Sequence, residues 1–156
     1  PLIEAMVGEK ELKAAYEYLN YHKADKVDLV YLGCPHLNLV DVQKIAVKME
    51  GKKVKIPTWV MTNPWLYDIC KKQGYVKMLT DAGIKLMSGA CLAAMGAVPA
   101  GVECIAVDTA KQANYVTGCY PDIDSKLQVC YGTTDECLDA AVTGTWRGQW
   151  PKGLSL

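Results

Sequence analysis

The sequence has 156 residues, of which 51% are hydrophobic, and its 17 basic and 17 acidic side chains give a formal net charge of zero. This length and composition suit one globular domain with a core of its own, and the lack of a clustered basic excess argues against a nucleic-acid-binding protein. The uncharged stretch 86–102 is shorter than the roughly 20 apolar residues of a membrane span and is interrupted by Ser, Gly and Pro, so no membrane segment is expected.

The seven cysteines bear on the compartment. A secreted disulfide scaffold is usually shorter and carries an even number of cysteines in loops, whereas here the number is odd and no CxxC motif occurs. We therefore expect a reducing, cytoplasmic environment. The sequence opens on Pro1 with no charged and then apolar leader, and we interpret it as a piece of a longer polypeptide.

The first elements alternate between helix and strand. Apolar residues recur at helical spacing over residues 9–19, which predicts an amphipathic helix. The apolar run 27–32, rich in β-branched residues, predicts a strand that a sheet buries on both faces. Asn38 can cap the next helix, which ends at Gly51, a residue suited to a left-handed C-terminal position.

The middle of the chain repeats this order. Residues 56–61 predict a second strand, and Asn63 with Pro64 marks a helix start, because the first can cap the helix and the second fits its first turn. A short helix is predicted over residues 76–82. Residues 84–88 then form the third predicted strand, followed by small, uncharged residues that allow a close backbone approach.

The last third predicts two more strands, over residues 102–107 and 127–131. Thr133 and Glu136 have the spacing of a capping box for a final helix. The tail after residue 144 contains two tryptophans, at 146 and 150, and is predicted to be an edge segment that contacts something outside the chain.

Strands that alternate with helices in this way predict a parallel sheet with helices on both faces and right-handed crossovers. The fold class is therefore α/β, a three-layer α/β/α arrangement with a mostly parallel sheet of four to five strands. No linker, repeat or low-complexity stretch divides the chain, so residues 1–156 are assigned to a single domain.

Two cysteines follow predicted strands directly. Cys34 comes after the strand 27–32 and Gly33, and Cys91 comes after the strand 84–88. Open α/β sheets bind their ligands at the carboxyl ends of their strands, so both thiols are predicted to lie at the same edge. The alternative for Cys34 is a small buried thiol without a chemical role.

The segment LGCPH around Cys34, followed by an acidic amphipathic helix, resembles the cluster-binding stretch of the aconitase X family. These hydro-lyases include phosphomevalonate dehydratase and cis-3-hydroxy-L-proline dehydratase. The resemblance continues in order along nearly the whole chain, through Trp59-Val60-Met61-Thr62, Gly74-Tyr75-Val76, Ala82-Gly83, Gly89-Ala90-Cys91, Asp108-Thr109-Ala110-Lys111, Tyr115, Asp135-Glu136-Cys137 and Ala140-Ala141-Val142-Thr143-Gly144. It corresponds to the later part of the family's catalytic region and implies an aconitase-domain-like fold.

The resemblance implies an iron–sulfur hydro-lyase that removes water from a small β-hydroxy acid, either phosphomevalonate or cis-3-hydroxy-L-proline. Hydroxide is a poor leaving group, and the open iron of the cluster would act on it as a Lewis acid. The cofactor implied is a 4Fe-4S cluster, with 2Fe-2S as the alternative. Three cysteines would hold it, because thiolates are the usual ligands of such clusters.

Cys34 and Cys91 match two ligand positions of the family. The third ligand is expected in a preceding part of the family's chain, with Cys119 as a weaker local candidate. No residue of this chain is assigned as the catalytic base. The remainder of the catalytic subunit and a small swivel domain or subunit are the expected partners, with no nucleic acid and no membrane.

Lys111 and Thr109 are the candidates for binding the anionic substrate, because they stand at a predicted helix start, where backbone N–H groups favour anions. The alternative for Lys111 is an ordinary surface lysine. His36 is expected either to hydrogen-bond a cluster ligand or the substrate, or merely to cap the following helix.

The chain departs from the family's pattern at two places. Thr109 replaces the usual serine, and Gly89-Ala90 replaces an Asp-Thr pair before Cys91. The second change removes an acid and a hydroxyl beside a proposed ligand. It leaves open a second hypothesis, a non-catalytic binding or interaction domain that keeps the aconitase-like scaffold without a cluster.

Overall fold

The computed structural model describes residues 4–21, 25–95, 98–118 and 127–149. These ranges contain five strands: β1 (Leu29–Leu37), β2 (Thr58–Thr62), β3 (Ile84–Ser88), β4 (Cys104–Val107) and β5 (Gln128–Tyr131). They also contain seven helices: α1 (Glu9–Leu19), α2 (Leu39–Lys48), α3 (Pro64–Lys72), α4 (Tyr75–Asp81), α5 (Leu92–Met95), α6 (Ala110–Gly118) and α7 (Thr134–Thr143). None of these helices has the length and apolar character that a membrane crossing requires.

The five strands form one sheet in the order β3-β2-β1-β4-β5, and every neighbouring pair is parallel. The predicted fold class is therefore confirmed. β1 lies at the centre, because the chain first adds β2 and β3 on one side and then crosses back to add β4 and β5 on the other. That reversal of direction between β1 and β4 decides where the functional site can form.

Two hydrophobic clusters cover the two faces of the sheet. Alternate residues of β1 face opposite sides, so Val30 and Leu32 join one cluster while Leu29 and Tyr31 join the other. Buried side chains of α2, α3, α4 and α7 pack in the first cluster, and those of α5 and α6 pack in the second. This gives the three layers expected from the sequence.

A single carboxylate ties the beginnings of the two central strands together. Asp28 Oδ2 accepts hydrogen bonds of 3.1 Å from the backbone amides of Glu103 and Cys104, and its Oδ1 lies 2.7 Å from Lys26 Nζ. Burial alone would raise the pKa of Asp28, but these three donors outweigh it and the pKa is lowered. An ionised Asp28 thus holds β1 beside β4 at their amino ends.

The structure differs from the sequence-based expectations in two elements. β1 does not end at residue 32 but continues to Leu37. The tail was predicted to contact something outside the chain, but Trp146 is buried in the first cluster of the chain's own core. The Trp146 backbone amide donates a hydrogen bond to the Asp25 carbonyl. Its ring packs against Gly132 and Gly148, where a Cβ atom would occupy the space that the ring fills. Trp150 lies outside the described residues.

Candidate functional site

The carboxyl ends of β1 and β4 form the crevice in which an open α/β sheet usually binds its ligand. β1 leads into α2 on one face of the sheet, whereas β4 leads into α6 on the other face, so the two connections diverge. Residues just after these strands therefore border an opening that no crossover covers. Cys34 lies in the second half of β1, three residues before its end, and Asp108 follows β4 directly.

The backbone that carries Cys34 bulges out of the sheet. Leu32 pairs with Val60 and Leu37 pairs with Thr62, so five steps along β1 correspond to two steps along β2. Gly33 begins this bulge with a φ of 108°, a left-handed conformation that other residues rarely adopt. The bulge sets Cys34 apart from the regular ladder, and the peptide bond between Cys34 and Pro35 is cis.

We expect Gly33→Ala to destabilise the fold by about 2–4 kcal/mol, from the positive φ and from a steric clash. A Cβ at Gly33 would lie 2.5 Å from the Met61 carbonyl oxygen, which is backbone and cannot turn away. Gly51→Ala is the matched control, because its φ is 71° but nothing lies within 4 Å of its Cβ position. Urea unfolding of both variants measures the difference. Equal losses of stability would mean that Met61 does not restrict the bulge.

Cys34 and Cys91 lie at the same edge of the sheet, as predicted. The Cys34 side chain is buried, and Cys91, which follows β3, is half-buried. Burial raises the pKa of the Cys34 thiol, the neighbouring Cys91 and Asp108 raise it further, and Lys111 lowers it. Cys91, Asp108 and Lys111 therefore each lie within electrostatic reach of the Cys34 thiol.

Two hydrogen bonds join the Cys91 segment to β1. The Nε2 atom of His36 lies 3.0 Å from the Ala90 carbonyl oxygen, and the Leu92 amide donates to the Tyr31 hydroxyl over 3.1 Å. Of the two alternatives for His36, capping of α2 is wrong, because Asn38 caps that helix by accepting from the Asp41 amide. His36 contacts the backbone beside Cys91 instead.

In the sequence, Asp108 stands out only as the first residue of the motif Asp108-Thr109-Ala110-Lys111. Its carboxylate accepts a hydrogen bond of 2.9 Å from the Thr134 hydroxyl. Burial raises the pKa of Asp108, and the bonds from Thr134 and from the Gly33 amide oppose this rise without cancelling it. An acidic residue directly after a fully buried strand was the available signal, but its burial depends on the crevice between β1 and β4.

Thr109 and Lys111 lie at the start of α6, as the sequence predicted. The Thr109 hydroxyl accepts a hydrogen bond of 3.2 Å from the Gln112 amide, so its role in the described structure is to cap the helix. Lys111 is exposed, and its Nζ lies 5.7 Å from the centre of the Tyr115 ring. The lysine therefore has a surface position, yet it is close enough to Cys34 to favour the thiolate.

A cavity of about 310 Å³ opens beside Asp108, between α2 and α7. Its floor is apolar and its rim is charged, with Leu37, Asp41, Lys44, Ile45, Lys48, Asp108, Thr134, Asp135 and Leu138 as lining residues. Lys48 pairs with Asp135 across it at 2.5 Å. Neither Cys34 nor Cys91 lines this cavity, which borders the cysteine-bearing edge at Leu37 and Asp108.

The thiols at this sheet edge are the candidate ligands for a metal group. Among the described residues, no set of three or more His, Cys, Asp and Glu side chains is arranged to hold a metal ion. Cys34 and Cys91 can supply two ligands, and Cys119, the weaker local candidate for a third, lies outside the described residues. The other described cysteines, Cys70, Cys104, Cys130 and Cys137, are free and buried in the first cluster. The chain thus offers part of a ligand set.

Comparison with known proteins identifies relatives along most of the chain. The family model for the aconitase X third domain matches residues 27–143. The phosphomevalonate dehydratase large subunit of Methanocaldococcus jannaschii is 31% identical over 132 residues, which cover 85% of this chain and 31% of that protein. The cis-3-hydroxy-L-proline dehydratase of Hypocrea jecorina is 25% identical over 150 residues, which cover 93% of this chain and 24% of that protein.

A solved structure gives the same result for the fold. The crystal structure of Thermococcus kodakaraensis aconitase X in its holo-form superposes with a TM-score of 0.63 at 25% sequence identity, covering 74% of this chain and 30% of that one. The chain therefore spans about a third or less of the length of these relatives.

Proposed function

Because the chain belongs to the aconitase X family and matches its third domain, we propose that it is one domain of a hydro-lyase that dehydrates a small β-hydroxy acid. The names of the relatives support this reaction class, since they are dehydratases. Their greater length supports a larger catalytic subunit of which residues 1–156 form a single α/β domain. Some relatives are named large subunits, which supports a small subunit as a partner.

The proposed cofactor is an iron–sulfur cluster, of the 4Fe-4S type or alternatively 2Fe-2S. Cys34 and Cys91 would hold two of its irons, and the third thiolate would come from another part of the catalytic subunit or from Cys119. The observation that carries this proposal is the placement of both thiols at the same edge of the parallel sheet, while the other described cysteines pack in the core. When bound, such a group supplies a Lewis acid for the departing hydroxide.

The residues of this chain would hold the substrate and the cluster rather than move the proton. Lys111 in the first turn of α6 would pair with the substrate's carboxylate or phosphate, next to backbone N–H groups that also favour an anion. Thr109 would keep that helix start in place through its bond to the Gln112 amide. The general base would come from outside this chain.

The substrate is proposed to be phosphomevalonate or cis-3-hydroxy-L-proline, because both reactions occur among the named relatives. Both are small acids that a lysine at the cluster edge could bind. A reducing cytoplasm is the proposed location, since six free thiols are present among the described residues.

We expect that the 156-residue chain will not hold a stoichiometric cluster after anaerobic reconstitution, because its two converging thiolates leave the iron underligated. Iron and acid-labile sulfide analysis, compared with the complete subunit, provides the measurement. A stable cluster on the short chain would identify a local third ligand, with Cys119→Ala as the next variant. Failure of the complete subunit to bind iron would instead favour the non-catalytic binding or interaction domain.

A further inference from the structure

We propose that Tyr31 and His36 form a clamp that positions the Cys91 thiol beside the Cys34 thiol, so that the two are arranged for a thiolate-binding metal group before it arrives. This inference rests on the proposed function, because it assigns positioning residues to the same site. The name clamp refers here to the two hydrogen bonds that these side chains make to the backbone of Ala90 and Leu92.

The clamp is needed because the sheet does not hold Cys91 in place. β3 is an edge strand, separated from β1 by β2, and its last ladder pair joins Ser88 to Thr62. Gly89 then turns the chain with a φ of 71°, and the nearest atom to its Cβ position is 3.9 Å away in Pro64. The helix that follows, α5, has only four residues. Other contacts must therefore bring the Cys91 segment back over the end of β1.

Both contacts come from the stretch of β1 that carries Cys34. Tyr31 precedes Cys34 by three residues, and its hydroxyl accepts from the Leu92 amide, directly after Cys91. His36 follows Cys34 by two residues and donates to the Ala90 carbonyl, directly before Cys91. The Cys91 residue is thus flanked by one bond on each side. A strand that already places the Cys34 thiol then fixes the second thiol relative to it.

The two bonds differ in strength because their surroundings differ. The Tyr31 side chain is 1% exposed at the centre of the sheet, so without its hydroxyl the Leu92 amide would lose its acceptor in a buried place. His36 is exposed, and its Nε2 must carry the hydrogen, because a carbonyl oxygen can only accept. Tyr31 is therefore the main positioning residue, and His36 adds a weaker second bond.

The test measures the affinity of the 156-residue chain for Cd²⁺, a soft ion that thiolates bind, by the sulfur-to-metal absorption in the ultraviolet. We expect Tyr31→Phe to weaken Cd²⁺ binding roughly tenfold and His36→Met about threefold, following the usual size of buried and exposed hydrogen bonds. Cys91→Ser shows how much of the sulfur-to-metal absorption comes from Cd²⁺ bound by Cys34 and Cys91 together. Hydrogen exchange at the Leu92 amide should accelerate in Tyr31→Phe.

Two further variants separate positioning from general packing. His36→Gln keeps an N–H donor at a similar reach and should retain the parent's affinity, whereas His36→Met should not. Tyr67→Phe removes a hydroxyl from a half-buried tyrosine on α3 and should change neither Cd²⁺ affinity nor Leu92 exchange. If Tyr31→Phe proves too unstable to fold, the pair of His36 variants, at an exposed position, decides the question.

Unchanged affinity in both His36→Met and Tyr31→Phe would overturn the clamp, and so would a parent chain that shows no Cd²⁺ signal dependent on Cys91. The proposed cofactor is tested separately by iron and sulfide loading of the complete subunit. The two proposals separate if the complete subunit fails to take up iron and sulfide while the 156-residue variants still bind Cd²⁺ in the expected order, the parent most tightly and Tyr31→Phe most weakly. That result would refute the iron–sulfur proposal and support the clamp.

Discussion

Cys34→Ala in the complete enzyme is expected to abolish iron binding and dehydratase activity together. Its thiol lies in the bulge at the end of the central strand, beside Cys91, and no other described cysteine reaches this edge. Without the thiolate the cluster loses a ligand, and without a Lewis acid the hydroxide leaves far more slowly, so kcat/KM should fall roughly 1,000-fold or more. Iron analysis and dehydration of phosphomevalonate or cis-3-hydroxy-L-proline give the two readouts.

Cys70→Ala is the matched control, because Cys70 is also a free and fully buried cysteine but packs in the first cluster against the sheet. It should lower thermal stability and leave the iron content of the folded enzyme unchanged. Cys91→Ala should behave like Cys34→Ala. Full iron content in Cys34→Ala would contradict the proposed ligand and reduce Cys34 to a small buried thiol.

Much of the fold could be read from local patterns. The apolar runs predicted all five strands, four of them within two residues of their observed bounds. The capping residue Asn63 and the capping box of Thr133 and Glu136 marked helix starts that the structure contains. The common edge for Cys34 and Cys91 followed from strand ends in a parallel sheet. These features depend on neighbours in sequence, which is why one chain suffices to predict them.

The structural features that the sequence did not predict depend on contacts between residues far apart in the chain. Nothing local indicates that Tyr31 would meet the Leu92 amide, 61 positions away, or that Trp146 would fold back over Gly132. The half-buried position of Asp108 follows from the strand order, in which β4 lies beside β1. An alternating pattern of strands and helices does not specify that order. The bulge after Leu32 likewise depends on the position of Met61 in the neighbouring strand.

Lys111→Ala in the complete enzyme is expected to weaken substrate use while leaving the iron content unchanged. Loss of a buried charge pair between Lys111 and the substrate would cost about 2–4 kcal/mol in kcat/KM. Because Lys111 is exposed in this chain, the expected loss is nearer 1–2 kcal/mol, or about 5- to 30-fold. Because a lysine in this role would bind the anion in both ground and transition states, the change should appear mainly in KM.

Lys111→Arg and Lys77→Ala test whether the loss in Lys111→Ala depends on a positive charge at position 111. The arginine keeps a positive charge above the Tyr115 ring and should recover part of the lost activity. Lys77 is another exposed lysine, paired with Asp81 on α4, and its removal should leave KM unchanged. If Lys111→Ala bound and turned over substrate like the parent, Lys111 would be a surface residue only. The anion would then have to be held by the part of the enzyme that supplies the general base.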